Sequence, residues 1–236
     1  MSLSRSQPVA KHMGLSLSLP FNLPCLCLVT DRTIGEPGTL VDRIAQAVAG
    51  GVDMVQLREK DLLGGEMLKL ATSIQEAIAG KAILIVNERV SVALAAGADG
   101  VQLGEDALPV SAARRLVGPQ ALIGRSVHSA DGAGEAVAQG ADFLVAGTMY
   151  ATRSHPGINP VGPSLIRSIA QQQVRASNPL PIIGIGGITV NNLGEVIRAG
   201  ASGVAVISSI LASSDPKLEA RALKNAMLDA WQDLRC

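Results

Sequence analysis

The chain has 236 residues, 47% of them hydrophobic but only 2% aromatic, and its 20 basic residues are balanced by 20 acidic ones. That length fits one large domain, with a closed eight-stranded α/β barrel of about 250 residues in range. A net charge of zero offers no field for nucleic acid or an anionic membrane, and the scarcity of aromatic platforms argues against single-strand binding.

Taken in chain order, Met1 to Pro24 carry Arg5, Lys11 and a Leu/Ser stretch, which raises the question of a signal peptide. The prolines, an Asn and the merging of the apolar part into a first strand argue against one. We expect residues 1–23 to be a disordered leader and residues 24–236 to be a single domain. No apolar run reaches the ~20 residues a membrane helix needs. Cys25 and Cys27 share one face of the first strand, where a bridge is geometrically awkward, and Cys236 is terminal. A reducing, cytoplasmic location is the simplest expectation.

Four copies of one phrase then organise the chain: AVAGGVDMVQL from Ala47, ALAAGADGVQL from Ala93, AVAQGADFLVA from Ala136 and VIRAGASGVAV from Val196. Each is a helix-like stretch, a Gly and a short apolar strand. The junction glycines Gly51, Gly97, Gly140 and Gly200 are roughly 45 to 60 residues apart, about two strand–helix units each. Strands are predicted near Cys25–Thr30, Asp53–Leu57, Ala82–Val86, Gly100–Leu103, Ala121–Gly124, Asp142–Ala146, Ile182–Gly184 and Gly203–Ile207. Helices lie between them, among them Leu40–Ala49, Gly65–Ile78 and Asn192–Arg198. A final helix over Lys217–Leu234, apolar around Ala222, Met227 and Trp231, closes the ring. The pattern predicts an α/β fold, a single (β/α)8 barrel, whose chemistry belongs at the C-terminal strand ends. The long Gly/Pro/Ser/Thr-rich connection from Thr148 to Gly162 reads as a functional loop or lid.

Several strand ends are polar. Strand two ends Gln56-Leu57-Arg58-Glu59-Lys60, where Gln56 and Arg58 alternate onto one face, inward if Val55 and Leu57 pack on the helices. Arg58 with Lys60 makes a natural clamp for a diphosphate. Strand three ends Asn87-Glu88-Arg89, strand four runs into Gly104-Glu105-Asp106, and strand five into Ser126-Val127-His128. His128 suits a proton shuttle or donor, and Glu88, Glu105 and Asp106 offer hard oxygens suited to Mg²⁺. After strand seven comes Gly184-Ile185-Gly186-Gly187, and after strand eight Ile207-Ser208-Ser209 opens a helical turn. Glycine backbone and an adjacent helix end form a phosphate site in barrels of this kind.

Taken together, QLREK at Gln56, NERV at Asn87, GADGVQLGED at Gly97, GRSVHS at Gly124, IIGIGGIT at Ile182 and GVAVISSI at Gly203 resemble the thiamine phosphate synthase family. That family includes the TenI-type thiazole tautomerases, and the likeness runs from about Leu26 to Trp231. It implies a transferase that joins hydroxymethylpyrimidine diphosphate to thiazole phosphate and releases pyrophosphate, with Mg²⁺ as cofactor. The resemblance implies that Gln56, Arg58, Lys60 and Asn87 hold the pyrimidine diphosphate and that Ser126 touches it. It places Thr152, Gly187, Ile207 and Ser208 at the thiazole phosphate end, with Ser154 and Gly186 also substrate-binding and His155 where a cation would face the leaving pyrophosphate. Glu88 and Asp106 are the expected metal ligands. Three positions depart from the family pattern: Glu88 replaces an Asp, Ala107 falls at the second metal Asp, and Arg153-Ser154-His155 stands where a Lys is usual. The alternative implied is a metal-free tautomerase with His128 as acid/base, or a non-catalytic barrel binding thiazole phosphate. The intact strand-two motif favours the synthase. Expected partners are small phosphorylated thiazole and pyrimidine molecules, with no nucleic acid and no membrane, and a homo-oligomer is left open.

Overall fold

A computed structural model describes residues 20–152, 157, 159–174 and 178–234. Eight parallel strands close into a barrel in sequential order: β1 (Cys25–Val29), β2 (Met54–Leu57), β3 (Ile83–Asn87), β4 (Gly100–Leu103), β5 (Leu122–Val127), β6 (Phe143–Gly147), β7 (Ile182–Ile185) and β8 (Gly203–Val206). The helices between them are α1 (Leu40–Ala49), α2 (Gly64–Ile78), α3 (Val90–Ala96), α4 (Val110–Val117), α5 (Ala130–Ala138), α6 (Pro163–Gln173) and α7 (Leu193–Arg198). A one-turn α8 (Ser208–Leu211) follows β8, and α9 (Pro216–Asp233) packs against α1 and α7 to complete the ring. The barrel is the predicted one. None of the described helices is long and apolar enough to cross a membrane, and Cys25 and Cys27 are free and buried.

Residue size and polarity divide the core in two. The outer layer between strands and helices is Leu, Ile, Val and Ala, including Val55, Leu57, Val101, Leu103 and Ile123. The smaller inner cluster holds Cys25, Cys27, Met54, Ile85, Phe143, Val145 and Ala205. Burial pushes the Cys27 thiol up to about 12 and holds Cys25 well above its ordinary value, helped by Cys27 itself. Of the last four leader residues, Phe21 and Leu23 pack on this inner cluster, and Phe21 meets the Phe143 ring edge-on at 6.4 Å. These two apolar side chains, within the segment expected as leader, cover the inner cluster at the start of β1. Residues 1–19 and 235–236 lie outside the described residues.

The repeated phrase has a physical basis. All four junction glycines adopt a positive φ, from +64° at Gly97 to +115° at Gly51, which ends a helix and turns the chain into the next strand. The Asp two residues after each of the first three is a two-bond clamp. The Asp53 N–H donates to Leu26 O at 2.9 Å, while Leu26 N–H donates to Asp53 Oδ2 at 2.8 Å. Asp99 pairs the same way with Leu84, and Asp142 with Ile123. Backbone donors at the strand starts must find acceptors, and these carboxylates supply them across neighbouring strands. Lys224 of α9 seals the first clamp at 2.7 Å from Asp53 Oδ2, and Arg114 of α4 seals the third at 2.5 Å from Asp142 Oδ2. In the fourth copy Ser202 keeps only the backbone half, donating to Ile182 O at 2.7 Å.

Most strand boundaries differ from the sequence reading by one residue, and the end of β5 differs by three. β5 runs on to Val127 because Arg125 and Ser126 still pair with Leu144 and Val145 of β6, and β3 includes Asn87 through Gln102. Polar residues extend these strands because they end in an open mouth rather than in packed core. On α9 the buried face is Ala220, Leu223, Met227 and Ala230, so Ala222 and Trp231 flank it instead of centring it.

Candidate active site

A cavity of about 550 Å³ opens at the C-terminal ends of the strands. Gln56, Arg58, Lys60, Asn87, Glu88, Asp106, Ser126, His128, Thr152, Gly186, Gly187, Ile207 and Ser208 all line it. Ser154 and His155 lie outside the described residues, as does Arg153. Sequence reasoning did not identify Val29, Val145, Ile185 and Ala205, which form an apolar wall, or Thr148 and Ala151 from the loop after β6.

Strand pleat sets the polar side. Gln56 and Arg58 point inward because Val55 and Leu57 are claimed by the outer core. Gln56 Nε2 donates to Asn87 Oδ1 at 3.1 Å, joining β2 to β3. Arg58 is fixed through its backbone, its N–H donating to the buried Thr30 hydroxyl at 2.9 Å. The adjacent Glu59, 3% exposed, accepts from Arg32, which also grips Asp61 through two 2.6 Å bonds. The rim ion pairs thus belong to Arg32. Neither Arg58 nor Lys60 makes an ion pair among the described residues, so two cations face the cavity without a protein counter-ion.

Glu88 is a non-glycine residue at φ +59°. Arg89 N–H donates across it to Asn87 O at 2.7 Å, a tight three-residue turn of the strained hand. The turn places its carboxylate over Gly104, where a Cβ would stand 2.6 Å from Glu88 Oε1. Two residues further on, Asp106 faces the same cavity, while Ala107 turns away to pack on the outer core. The loop after β4 therefore presents its carboxylate one position before the family register. Glu105 is committed elsewhere: its Oε1 lies 2.9 Å from His128 Nδ1, and its carbonyl accepts from Arg125. That contact fixes the His128 ring through one nitrogen and leaves the other for the cavity.

No group of three His, Cys, Asp or Glu able to hold a metal comes together among the described residues. Mg²⁺ at phosphate sites needs only one or two carboxylates, with waters and substrate oxygens completing its octahedron. Glu88 and Asp106, hard oxygen donors without ion-pair partners among the described residues, fit that requirement.

Across the mouth, Gly186 and Gly187 adopt φ +107° and +62°. Their lack of side chains also admits the loop after β6: a Cβ on Gly187 would stand 2.5 Å from Ala151 O. The glycine pair thus serves tight packing as well as backbone exposure. The Gly187 N–H has no backbone partner among the described residues, and the first turn of α8 presents N–H groups that helix geometry leaves unpaired. Ser209 Oγ donates to Ile188 O at 2.7 Å and ties the two loops together. Tyr150 is anchored to Glu195 of α7 at 2.9 Å, and burial followed by that carboxylate pushes its hydroxyl up to about 12.

A (β/α)8 barrel with anion-recognising groups on both sides of one cavity defines a phosphate-handling barrel enzyme by class. Residues 26–210 match the family described as thiamine monophosphate synthase, and the chain belongs to that family. It is 45% identical over 206 residues to a thiamine-phosphate synthase of Methanoculleus marisnigri, covering 87% of this chain and 96% of the relative. A thiamine-phosphate synthase of Chlorobium luteolum is 42% identical over 206 residues, covering 86% and 93%. Among solved structures, a thiamine phosphate pyrophosphorylase of Pyrococcus furiosus superposes with a TM-score of 0.77 at 32% identity, covering 87% of this chain and 96% of that one.

Proposed function

We propose that the chain is a thiamine-phosphate synthase, coupling hydroxymethylpyrimidine diphosphate with thiazole phosphate to give thiamine phosphate and pyrophosphate. The observation that carries this reading is the pair of anion-recognising ends facing each other across one 550 Å³ cavity. Two phosphorylated substrates need a phosphate end and a diphosphate end; a tautomerase acting on one carboxythiazole phosphate needs a phosphate end and a partner for a single carboxylate, which asks for less than the Arg58 and Lys60 pair offers. The relatives named as synthases support the same choice.

In this reading Arg58 and Lys60 take the diphosphate, and their lack of protein counter-ions leaves their full charge for the leaving group. Gln56 and Asn87 hold the pyrimidine edge, and Ser126 donates to the same substrate. Gly187, Ser208 and the neighbouring Ile207 take the thiazole phosphate, with Thr152 closing that side and Gly186 shaping the turn. The apolar wall of Val29, Val145, Ile185 and Ala205 excludes water from the reacting carbon. The C–O bond to the diphosphate breaks with its electron pair leaving on pyrophosphate, and the thiazole nitrogen supplies the pair for the new C–N bond. No protein nucleophile is required, so positioning and charge neutralisation do the catalysis. His128, oriented by Glu105, stands where it can hold a proton for the departing pyrophosphate. Glu88 and Asp106 would hold Mg²⁺, which supplies charge neutralisation at the diphosphate. Residues 24–236 form the catalytic domain in this reading.

The test is turnover with both substrates and Mg²⁺, alongside calorimetric binding of each substrate alone. Binding of both with formation of thiamine phosphate supports the assignment. Thiazole phosphate binding without pyrimidine diphosphate binding would overturn it in favour of the tautomerase.

A further inference from the structure

The residue three positions after each clamp Asp points into the barrel, and the four copies fill that place differently: Gln56, Gln102, Val145 and, after Ser202, Ala205. The first half of the barrel is therefore polar at this level and the second half apolar. Each glutamine reaches the next strand in the same way. Gln56 Nε2 donates to Asn87 Oδ1, and Gln102 Nε2 donates to Ser126 Oγ at 3.1 Å.

Gln102 is 1% exposed, and its Oε1 has no hydrogen-bond partner. The amide lies over Gly124, where a Cβ would stand 2.1 Å from Oε1 and 2.3 Å from the Phe143 ring. A buried amide with one end unsatisfied is a poor stabiliser, and an apolar side chain of the same size would remove the deficit. Its retained feature is the bond to Ser126.

A serine hydroxyl has one proton and two lone pairs. Gln102 occupies a lone pair, and no described residue accepts the proton. We propose that Gln102 is a positioning residue that fixes the polarity of Ser126, making its hydroxyl a donor into the cavity toward the diphosphate oxygens. Gln56 does the same for Asn87, whose carbonyl is occupied and whose NH₂ is left to donate. The two glutamines thereby turn both odd-strand neighbours into donors, matching an acceptor-rich anionic substrate. This inference rests on the synthase reading for its substrate, but the hydroxyl polarity can be measured without turnover.

The probe is inorganic pyrophosphate, titrated by calorimetry in the presence of Mg²⁺ into the full chain. Losing one donor to a charged group weakens binding about tenfold or more. Gln102→Leu and Ser126→Ala should each show that loss, and the double variant should show no more than either alone. In turnover, the same variants should lower kcat/KM for the pyrimidine diphosphate while leaving the KM for thiazole phosphate unchanged. A purely structural role predicts instead that Gln102→Leu weakens binding equally with or without Ser126, and that result overturns the proposal. So does wild-type pyrophosphate affinity in Gln102→Leu. Gln102→Met provides a second route if the Leu variant fails to fold. Absence of turnover in the wild type, with pyrophosphate affinity behaving as described, refutes the synthase reading and leaves the polarity assignment standing.

Discussion

Glu88 couples backbone strain to function, and replacing it separates the two. It holds a positive φ of +59° that an L-residue adopts at a cost of about 1–2 kcal/mol. Its side chain is exposed and makes no ion pair among the described residues. Glu88→Gly relieves the strain but adds about 0.5–1 kcal/mol of unfolded-state freedom. The expected net effect lies between zero and about 1.5 kcal/mol of stabilisation. For a domain of this size that raises Tm by up to about 6 °C, at about 2–4 °C per kcal/mol. Activity should move the other way: with one carboxylate of the proposed Mg²⁺ site gone, kcat/KM should fall at least about tenfold and the Mg²⁺ requirement should rise. Glu88→Gln keeps the strain and loses the charge, so it should leave Tm unchanged and lower activity to a similar degree. Gly104→Ala, whose methyl would stand 2.6 Å from Glu88 Oε1, should displace that carboxylate and weaken Mg²⁺ binding without removing its charge. Thermal unfolding and turnover across a Mg²⁺ series measure both sides. A Glu88→Gly variant that is less stable than wild type refutes the strain argument, and one with full activity refutes the metal assignment.

Arg58→Met should leave stability within about 0.5 kcal/mol, since its guanidinium has no ion partner among the described residues. It should weaken pyrimidine diphosphate binding about tenfold to a hundredfold. Calorimetry showing the loss on thiazole phosphate instead would mean the two ends are assigned in reverse. Asp142→Ala removes the acceptor for Ile123 N–H and leaves Arg114 held, among the described residues, only by the Gly118, Ala121 and Gly140 carbonyls, so it should cost about 1–3 kcal/mol. Denaturant unfolding checks the stability loss, and unchanged KM values check that the floor is remote from the site. Asp61 supplies a pH test. Its hydrogen bonds with Arg32 lower its carboxyl from 3.8 to about 2. Because the folded value is depressed, the stabilisation is complete above the ordinary value and is lost as pH falls through about 2. Carbon-13 NMR should find the Asp61 midpoint near 2 and, in Arg32→Ala, near its ordinary position; a wild-type midpoint near 3.8 contradicts the pairing.

The fold was legible because its information is periodic. Junction glycines and apolar strands repeat four times, and the alternation of Val55, Gln56, Leu57 and Arg58 assigns inside and outside. Site residues at strand ends were legible for the same reason, since topology alone carries them to one mouth. What stayed hidden depended on side-chain conformation and on contacts between distant loops. Glu105 looks like a metal ligand in sequence, yet it reaches His128 just past the end of β5. Gln102 reads as an ordinary strand residue until its bond to Ser126 and its orphaned oxygen are seen. The register in which Asp106 faces the cavity and Ala107 the helices depends on the turn after Gly104, which spacing does not encode. The clamp aspartates carried a signal in their fixed place after each junction Gly, but their acceptor role appears only once the strands are paired.

The central claim is that one cavity brings together a diphosphate end and a phosphate end for a coupling reaction. Its most direct test is to mix the chain with hydroxymethylpyrimidine diphosphate, thiazole phosphate and Mg²⁺ and follow products by phosphorus-31 NMR. Thiamine phosphate and pyrophosphate should form in equal amounts. Persistence of both substrates, with each shown by calorimetry to bind, would contradict it.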